Sequence, residues 1–230
     1  VPGEFLAIPS YEWHSCQYGD HNVYGPGPDL PLATAPLLPQ LRDVVRRANA
    51  ICIPHHIGYQ AGYRGIDWRH FSAERSPFVE IYSLHGCAES AAAPFPYLHD
   101  MGRRDARSTA DAGWEAGHRF GIIAWTDHHG AYPGSHGAGR VGVFATDLTR
   151  EALWDALLRL RVYAATGDKI DARLHINDAW LGEEIQVAGS RNIQVAVRGS
   201  DALDRVELLK NGRRLCWVES QLPSGEPKPG

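Results

Sequence analysis

Apolar residues along this chain come in short runs separated by polar, glycine-rich and proline-rich stretches. Phe5–Pro9, Ile51–Ile53, Phe78–Tyr82 and Gly121–Trp125 are apolar on both faces, the pattern of buried strands. Between them, residues 37–50 place Leu38, Leu41, Val44, Val45 and Ala48 at helical spacing. Residues 108–117 also read as helical. Residues 149–162 form the strongest helical pattern, with Thr149 as N-cap and Leu153, Trp154, Leu157, Leu158 and Leu160 on the apolar side. Buried strands alternating with helices predict an α/β fold with a parallel sheet or barrel. After Gly167 the texture changes. Residues 172–176, 193–197 and 206–209 are short and partly alternating, and Asn211-Gly212 is a hairpin turn signal. The expected organisation is an α/β unit over 1–168, a small β unit over 169–218 and a disordered Pro/Gly-rich tail over 219–230.

Composition narrows the function. The 230 residues carry 23 Lys+Arg against 27 Asp+Glu, a net charge of -4. There is no basic footprint, which argues against nucleic-acid partners. No apolar run reaches the roughly 18 residues of a membrane span. Cys16, Cys52, Cys87 and Cys216 stand apart, without CxxC spacing. They fit a reducing compartment and slightly favour the cytoplasm. No secretory signal is visible, and the chain opens at Val1, as though upstream residues had been removed. Histidine is the outlier: 12 in all, eleven of them before residue 137.

Those histidines cluster where predicted strands end. Ile8 leads to Ser10-Tyr-Glu-Trp-His14, and Ile51–Ile53 to Pro54-His-His56. Phe78-Val79 leads to Glu80 and then His85, and Gly121–Trp125 to Thr126-Asp-His-His129. In parallel α/β folds the C-terminal strand ends share one face, where ligands bind. Carboxylate oxygens and imidazole nitrogens together suit Zn, Mn or Fe. Asp127 and His129, two apart at a strand end, can point the same way. Glu80 sits inside an apolar run, where a carboxylate needs a metal, an Arg or backbone donors. Lone histidines are more often structural than ligating, so the joint occurrence of four such strand ends carries the expectation of a metal site. No GxSxG elbow, P-loop, GxGxxG or HExxH is present. Gly130–Gly134 and Gly137–Gly139 read as a mobile loop beside Asp127, either covering a substrate or turning at the surface.

At these residues the chain resembles the PHP superfamily of polymerase and histidinol phosphatase domains, and within it a branch with a small C-terminal β extension. The matching pieces are Tyr11-Glu-Trp13 with Gly19-Asp-His-Asn22, Ile53-Pro-His-His56, Val79–Gly86 with Glu89, Gly121–Gly134, Arg161–Gly167 and Ala179-Trp-Leu-Gly182. The resemblance implies a partial (β/α)7-type barrel and a site for two or three metal ions. It implies Glu12 as a bridging carboxylate, His21, His55, Asp127 and His129 as further ligands, and Glu80 as an acid behind the ligands or on the substrate side. His56 matches no ligand position and is expected in a supporting role. The family opens with a His-x-His strand, and none precedes Glu12, so these residues are expected to carry part of a site.

The function expected from this reading is a metal-dependent hydrolase, most simply a phosphoesterase, acting on a small molecule through metal-activated water. His85 or His128 would protonate the leaving group, and Arg119 or Arg103 would hold a phosphate oxygen. Two other classes stay open: a non-catalytic metal-binding or structural module, and an amidohydrolase-like enzyme acting on C–N bonds.

Overall fold

The computed structural model describes residues 3–97, 99–130 and 139–219. It contains thirteen strands and three α-helices among those residues. An antiparallel meander, β1 (Ser10–Trp13), β2 (His21–Tyr24) and β3 (Ile51–Pro54), comes first. Helix α1 (Leu38–Arg47) lies between β2 and β3 in the chain. The next sheet joins β4 (Phe78–Ser83), β5 (Gly86–Cys87) and β6 (Gly121–Ala124), with β4 central. Helix α2 (Ala110–Glu115) precedes β6. A pair follows, β7 (Arg140–Val143) and β8 (Val162–Ala165), with α3 (Arg150–Leu158) between them. The C-terminal part is all β: β9 (Asp171–Ile176), β10 (Ala179–Trp180), β11 (Ile193–Arg198), and the hairpin β12 (Arg205–Lys210) and β13 (Arg213–Glu219).

This overturns the expected (β/α)7-type barrel. The apolar runs at 51–53, 78–82 and 121–125 do form strands, but β4 and β6 make the only parallel ladder among the described strands. β3 pairs antiparallel with β2 instead. A barrel of that type needs a helical crossover between successive strands. Here residues 55–77 supply one short 3-10 turn at Trp68–His70, and α2 has only six residues. The described residues form several small sheets and no closed barrel. Phe5–Pro9 is not a strand; pairing starts at Ser10, where the chain meets β2.

Two apolar layers cover the meander. Trp13, Val23 and Cys52 on one face pack with Leu38, Leu41 and Val45 of α1. Ile51 and Ile53 on the other face join Phe78, Ile123, Val162 and the α3 residues Trp154 and Leu157. Helix α3 begins as its sequence predicts: Thr149 Oγ1 accepts from the Ala152 N–H at 3.2 Å. The C-terminal strands also follow the sequence signals, and Asn211 and Gly212 both take positive φ in the hairpin turn. The Arg161 guanidinium lies 5.5 Å from the centre of the Trp180 ring, linking the β9–β10 segment to β8. Among the described residues no helix is long and apolar enough to cross a membrane. Residues 131–138 of the expected mobile loop, and the tail from 220 onward, lie outside the described residues.

Candidate metal centre

The register of the meander sorts the candidate residues. Directly paired residues share a sheet face. Trp13, His21 and Pro54 are one such row, and Glu12, Asn22 and Ile53 the next. Glu12 therefore lies on the face toward β4 and β6. His21 lies on the α1 face, edge-on to Trp13 at 5.8 Å, and its Nδ1 bonds the Gly19 carbonyl at 3.0 Å. Burial pushes its pKa down to about 4. His21, expected as a ligand, is a packed neutral imidazole that the structure does not bring to the other donors. Its place in the motif concealed this, because one residue of register changes the face.

His55, Glu80, His85 and Asp127 do converge. His55 follows β3, and its Nδ1 lies 2.7 Å from Glu80 Oε2 in mid-β4. The other Glu80 oxygen accepts from the His56 backbone N–H at 3.3 Å. The far nitrogen of His55, Nε2, then points to Asp127 Oδ2 at 3.4 Å. His85, after β4, repeats the arrangement: Nδ1 is 2.9 Å from Asp100 Oδ1, and Nε2 is 3.0 Å from the same Asp127 Oδ2. Two imidazoles, each gripped by a carboxylate through Nδ1, thus aim Nε2 at one carboxylate oxygen. Carboxylate-held imidazole is the usual outer support of a metal-binding histidine.

His85 Nε2 and Asp127 Oδ2 are both buried, and neither has a hydrogen-bond partner among the described residues despite their 3.0 Å separation. Buried polar atoms without partners are costly and rare. His129 is mostly exposed, and its Nε2 lies 4.0 Å from the other Asp127 oxygen. The donor atoms of His85, Asp127 and His129 fall within 4.8 Å of one another. So do those of Glu12, His55 and His56. His55 joins the two groups, sharing one with Glu12 and lying 3.4 Å from Asp127 of the other.

Electrostatics follow from this crowding. Burial alone would lower the His55 pKa, but the Glu80 and Asp127 carboxylates hold it well above the usual imidazole range. Burial likewise raises Asp127, and His55, His85 and His129 outweigh it, leaving Asp127 low. His56 is driven far down by burial and by His55, Arg64 and His85. Tyr24, on the Glu12 face, stacks on Trp125 at 5.5 Å. Its phenol is pushed up by burial, then by Glu80, Asp127 and Glu12.

Asp20 is the residue the sequence reading missed. Its side chain is fully buried, with Oδ2 at 3.1 Å from Arg64 Nε and 3.6 Å from His56 Nε2. A close backbone approach puts it there. Gly19 has φ +84°, and a Cβ on it would stand 2.7 Å from the Gly65 carbonyl oxygen. The Asp20 N–H donates to the Arg64 carbonyl at 3.1 Å. The signal was present as an acid directly after a glycine in Gly19-Asp-His-Asn22. Positive φ at His56 (29°) and Asp127 (52°) adds backbone strain at the donors themselves.

The remaining candidates lie elsewhere. His128 is exposed, and its Nδ1 accepts from the Gly130 N–H at 3.0 Å. Arg119 is exposed and pairs with Glu184. Arg103 lines a surface cleft with Gln60, Tyr63 and Gly102. His85, expected as a leaving-group acid, sits among the donors instead.

Fold and site together define a chain of small β-sheets that carries a buried carboxylate–imidazole group. Comparisons with known proteins give it relatives. Residues 132–197 match a family model described as a protein of unknown function, DUF3604. The chain is 31% identical over 168 residues to an uncharacterised protein of Chlamydia pneumoniae, covering 66% of this chain and 27% of that protein. It is 28% identical to an uncharacterised protein of Chlamydia muridarum with the same coverage, and 26% identical to one of Chlamydia trachomatis, covering 64% and 26%. The chain thus spans about a quarter of the length of the curated relatives it matches. No solved structure matches.

Proposed function

We propose that this chain holds a divalent cation between His55 Nε2, His85 Nε2 and an Asp127 oxygen, with His129 in reach, and that the site hydrolyses a phosphate ester. The observation that carries this is the pair of buried atoms, His85 Nε2 and Asp127 Oδ2, aimed at each other without hydrogen-bond geometry. A cation would satisfy both at once. The mixed N/O donor set suits Zn, Mn or Fe. When bound, such an ion lowers the pKa of a coordinated water and polarises a phosphoryl oxygen.

The chain's own groups do the rest. Glu80 and Asp100 hold the Nδ1–H of His55 and His85, so that Nε2 is the nitrogen that would face a cation, His55 giving up its second proton on binding. Glu12, on the same face and 39% exposed, is the carboxylate open to solvent beside these donors, placed to accept a proton from an incoming water. Tyr24 and Trp125 form an aromatic wall on that face. This reading shares His55, Asp127 and His129 with the ligands that the resemblance to PHP-type hydrolases implies; it differs in taking His85 as a donor, Glu12 as a base and no donor from His21, and in having no barrel. The match covers 27% of that Chlamydia pneumoniae relative's length, which leaves room for further groups in a whole protein.

Metal analysis of the purified chain, with hydrolysis of p-nitrophenyl phosphate with and without added Mn or Zn, tests the proposal. Expected is about one tightly held ion and metal-dependent turnover, both lost in Asp127→Asn. Failure to bind either metal would overturn the site. Binding without turnover on phosphate esters or amides would instead favour a metal-binding module. That second reading draws on Arg119 being paired with Glu184 and on the exposed His128 ring being bonded to the Gly130 N–H.

A further inference from the structure

Outside that centre lies a second group of reactive side chains, on the turn between β1 and β2. Cys16 is exposed, and its Sγ lies 3.6 Å from His14 Nε2. The opposite ring nitrogen, His14 Nδ1, lies 2.5 Å from Asp20 Oδ1. Asp20 is itself immobilised: Oδ1 also accepts from the Ser15 N–H at 3.3 Å, and Oδ2 meets Arg64 Nε at 3.1 Å. The Asp20 carboxylate can only accept, so His14 donates through Nδ1–H and leaves its Nε2 lone pair toward the thiol. A nucleophile, a base in reach of its proton and a buried acid that orients the base are the parts of an activated nucleophile.

We propose that Cys16 is a modification site, a thiol made nucleophilic by His14 and Asp20 that reacts with peroxides and other soft electrophiles ahead of every other cysteine in the chain. The contrast is built into the molecule. Cys52 and Cys87 are buried, whereas Cys216 is exposed on β13, with no imidazole or carboxylate partner among the described residues. With a peroxide, Sγ attacks one oxygen, an S–O bond forms and the O–O bond breaks. The Sγ proton passes by way of His14 to the departing hydroxide, giving a sulfenic acid and water. Sulfur is oxidised by two electrons and the peroxide is reduced. With iodoacetamide the S–C bond forms, iodide leaves and the proton goes to His14.

The test is competitive labelling of the folded chain with limiting iodoacetamide at pH 7, read by peptide mass spectrometry as the Cys16 to Cys216 ratio. An unassisted thiol is only about 3% thiolate at that pH, so base assistance has room for a gain of up to about thirtyfold. Cys16 is expected to label roughly tenfold faster than Cys216, and hydrogen peroxide followed by dimedone should mark the same residue. In His14→Gln the ratio should fall to about one while Cys216 keeps its rate. The wild-type chain in urea supplies a second measure, because unfolding must collapse the ratio. A native ratio near one, a ratio unchanged in urea, or a ratio unaffected by His14→Gln in chain whose Cys52 and Cys87 stay protected would each overturn the proposal.

Discussion

Replacing Glu80 separates a structural ion network from a metal support. Its carboxylate is 1% exposed and accepts from two groups, His55 Nδ1 at 2.7 Å and the His56 N–H at 3.3 Å. In Glu80→Gln the amide oxygen can keep the shorter bond to His55. Its NH2 then faces the His56 N–H, donor against donor. The His56 N–H and the new amide NH2 are both left unsatisfied, each at a cost of about 1–3 kcal/mol. Glu80→Ala strips both partners and empties the side-chain volume, and removing one member of a buried pair costs about 3–5 kcal/mol. Either loss is a large fraction of the roughly 5–15 kcal/mol that holds a domain together. If Glu80 also orients a metal-binding His55, the Ala variant, which loses the bond to Nδ1, should bind Zn or Mn about 10–100-fold more weakly, the usual effect of losing an outer support. Urea unfolding of the metal-free chain gives the first number and calorimetric metal titration the second. Suppose Glu80→Ala loses stability yet binds metal as tightly as wild type. Glu80 would then be a packing partner of His55 and not its orienting group, and the support argument fails.

Further outcomes follow from the same geometry. Asp127→Asn should keep the fold, because Asn tolerates the φ of +52° at that position, while abolishing metal uptake; loss of folding instead would mean that the carboxylate is structural. His21→Gln should leave metal affinity within about twofold, since His21 faces α1, and a loss comparable to that of His55→Gln would contradict the register argument. His21 also makes stability pH-dependent. Its folded pKa of about 4 lies below the usual 6.5, so its contribution is full above 6.5 and is lost as pH falls toward 4, up to about 3 kcal/mol. Acid titration of unfolding should therefore flatten by about one proton in His21→Gln. Gly65→Ala should be severely destabilising and should disturb Asp20, because its Cβ would stand 1.5 Å from the Tyr59 carbonyl oxygen; circular dichroism and a thermal melt check this, and a variant as stable as wild type would refute the close approach.

The amino-acid sequence by itself determined the local elements whose signals are carried within a few residues. The 3.6-residue spacing of Leu38, Leu41 and Val45 specifies α1, Thr149 caps α3, and Asn211-Gly212 turns the last hairpin. It also exposed the raw materials of the site, since Glu80 inside an apolar run and Asp127 at the end of another are conspicuous wherever the chain goes. What only the tertiary structure decided is pairing and facing. Apolar runs read alike whether their partners are parallel or antiparallel, so nothing in Ile51–Pro54 foretold that it would join the meander and leave no barrel. A single step of register puts Glu12 with the donors and His21 against α1. Asp20 owes its place to two glycine backbones meeting 46 residues apart, Gly19 against Gly65, a contact between distant segments that no local pattern encodes.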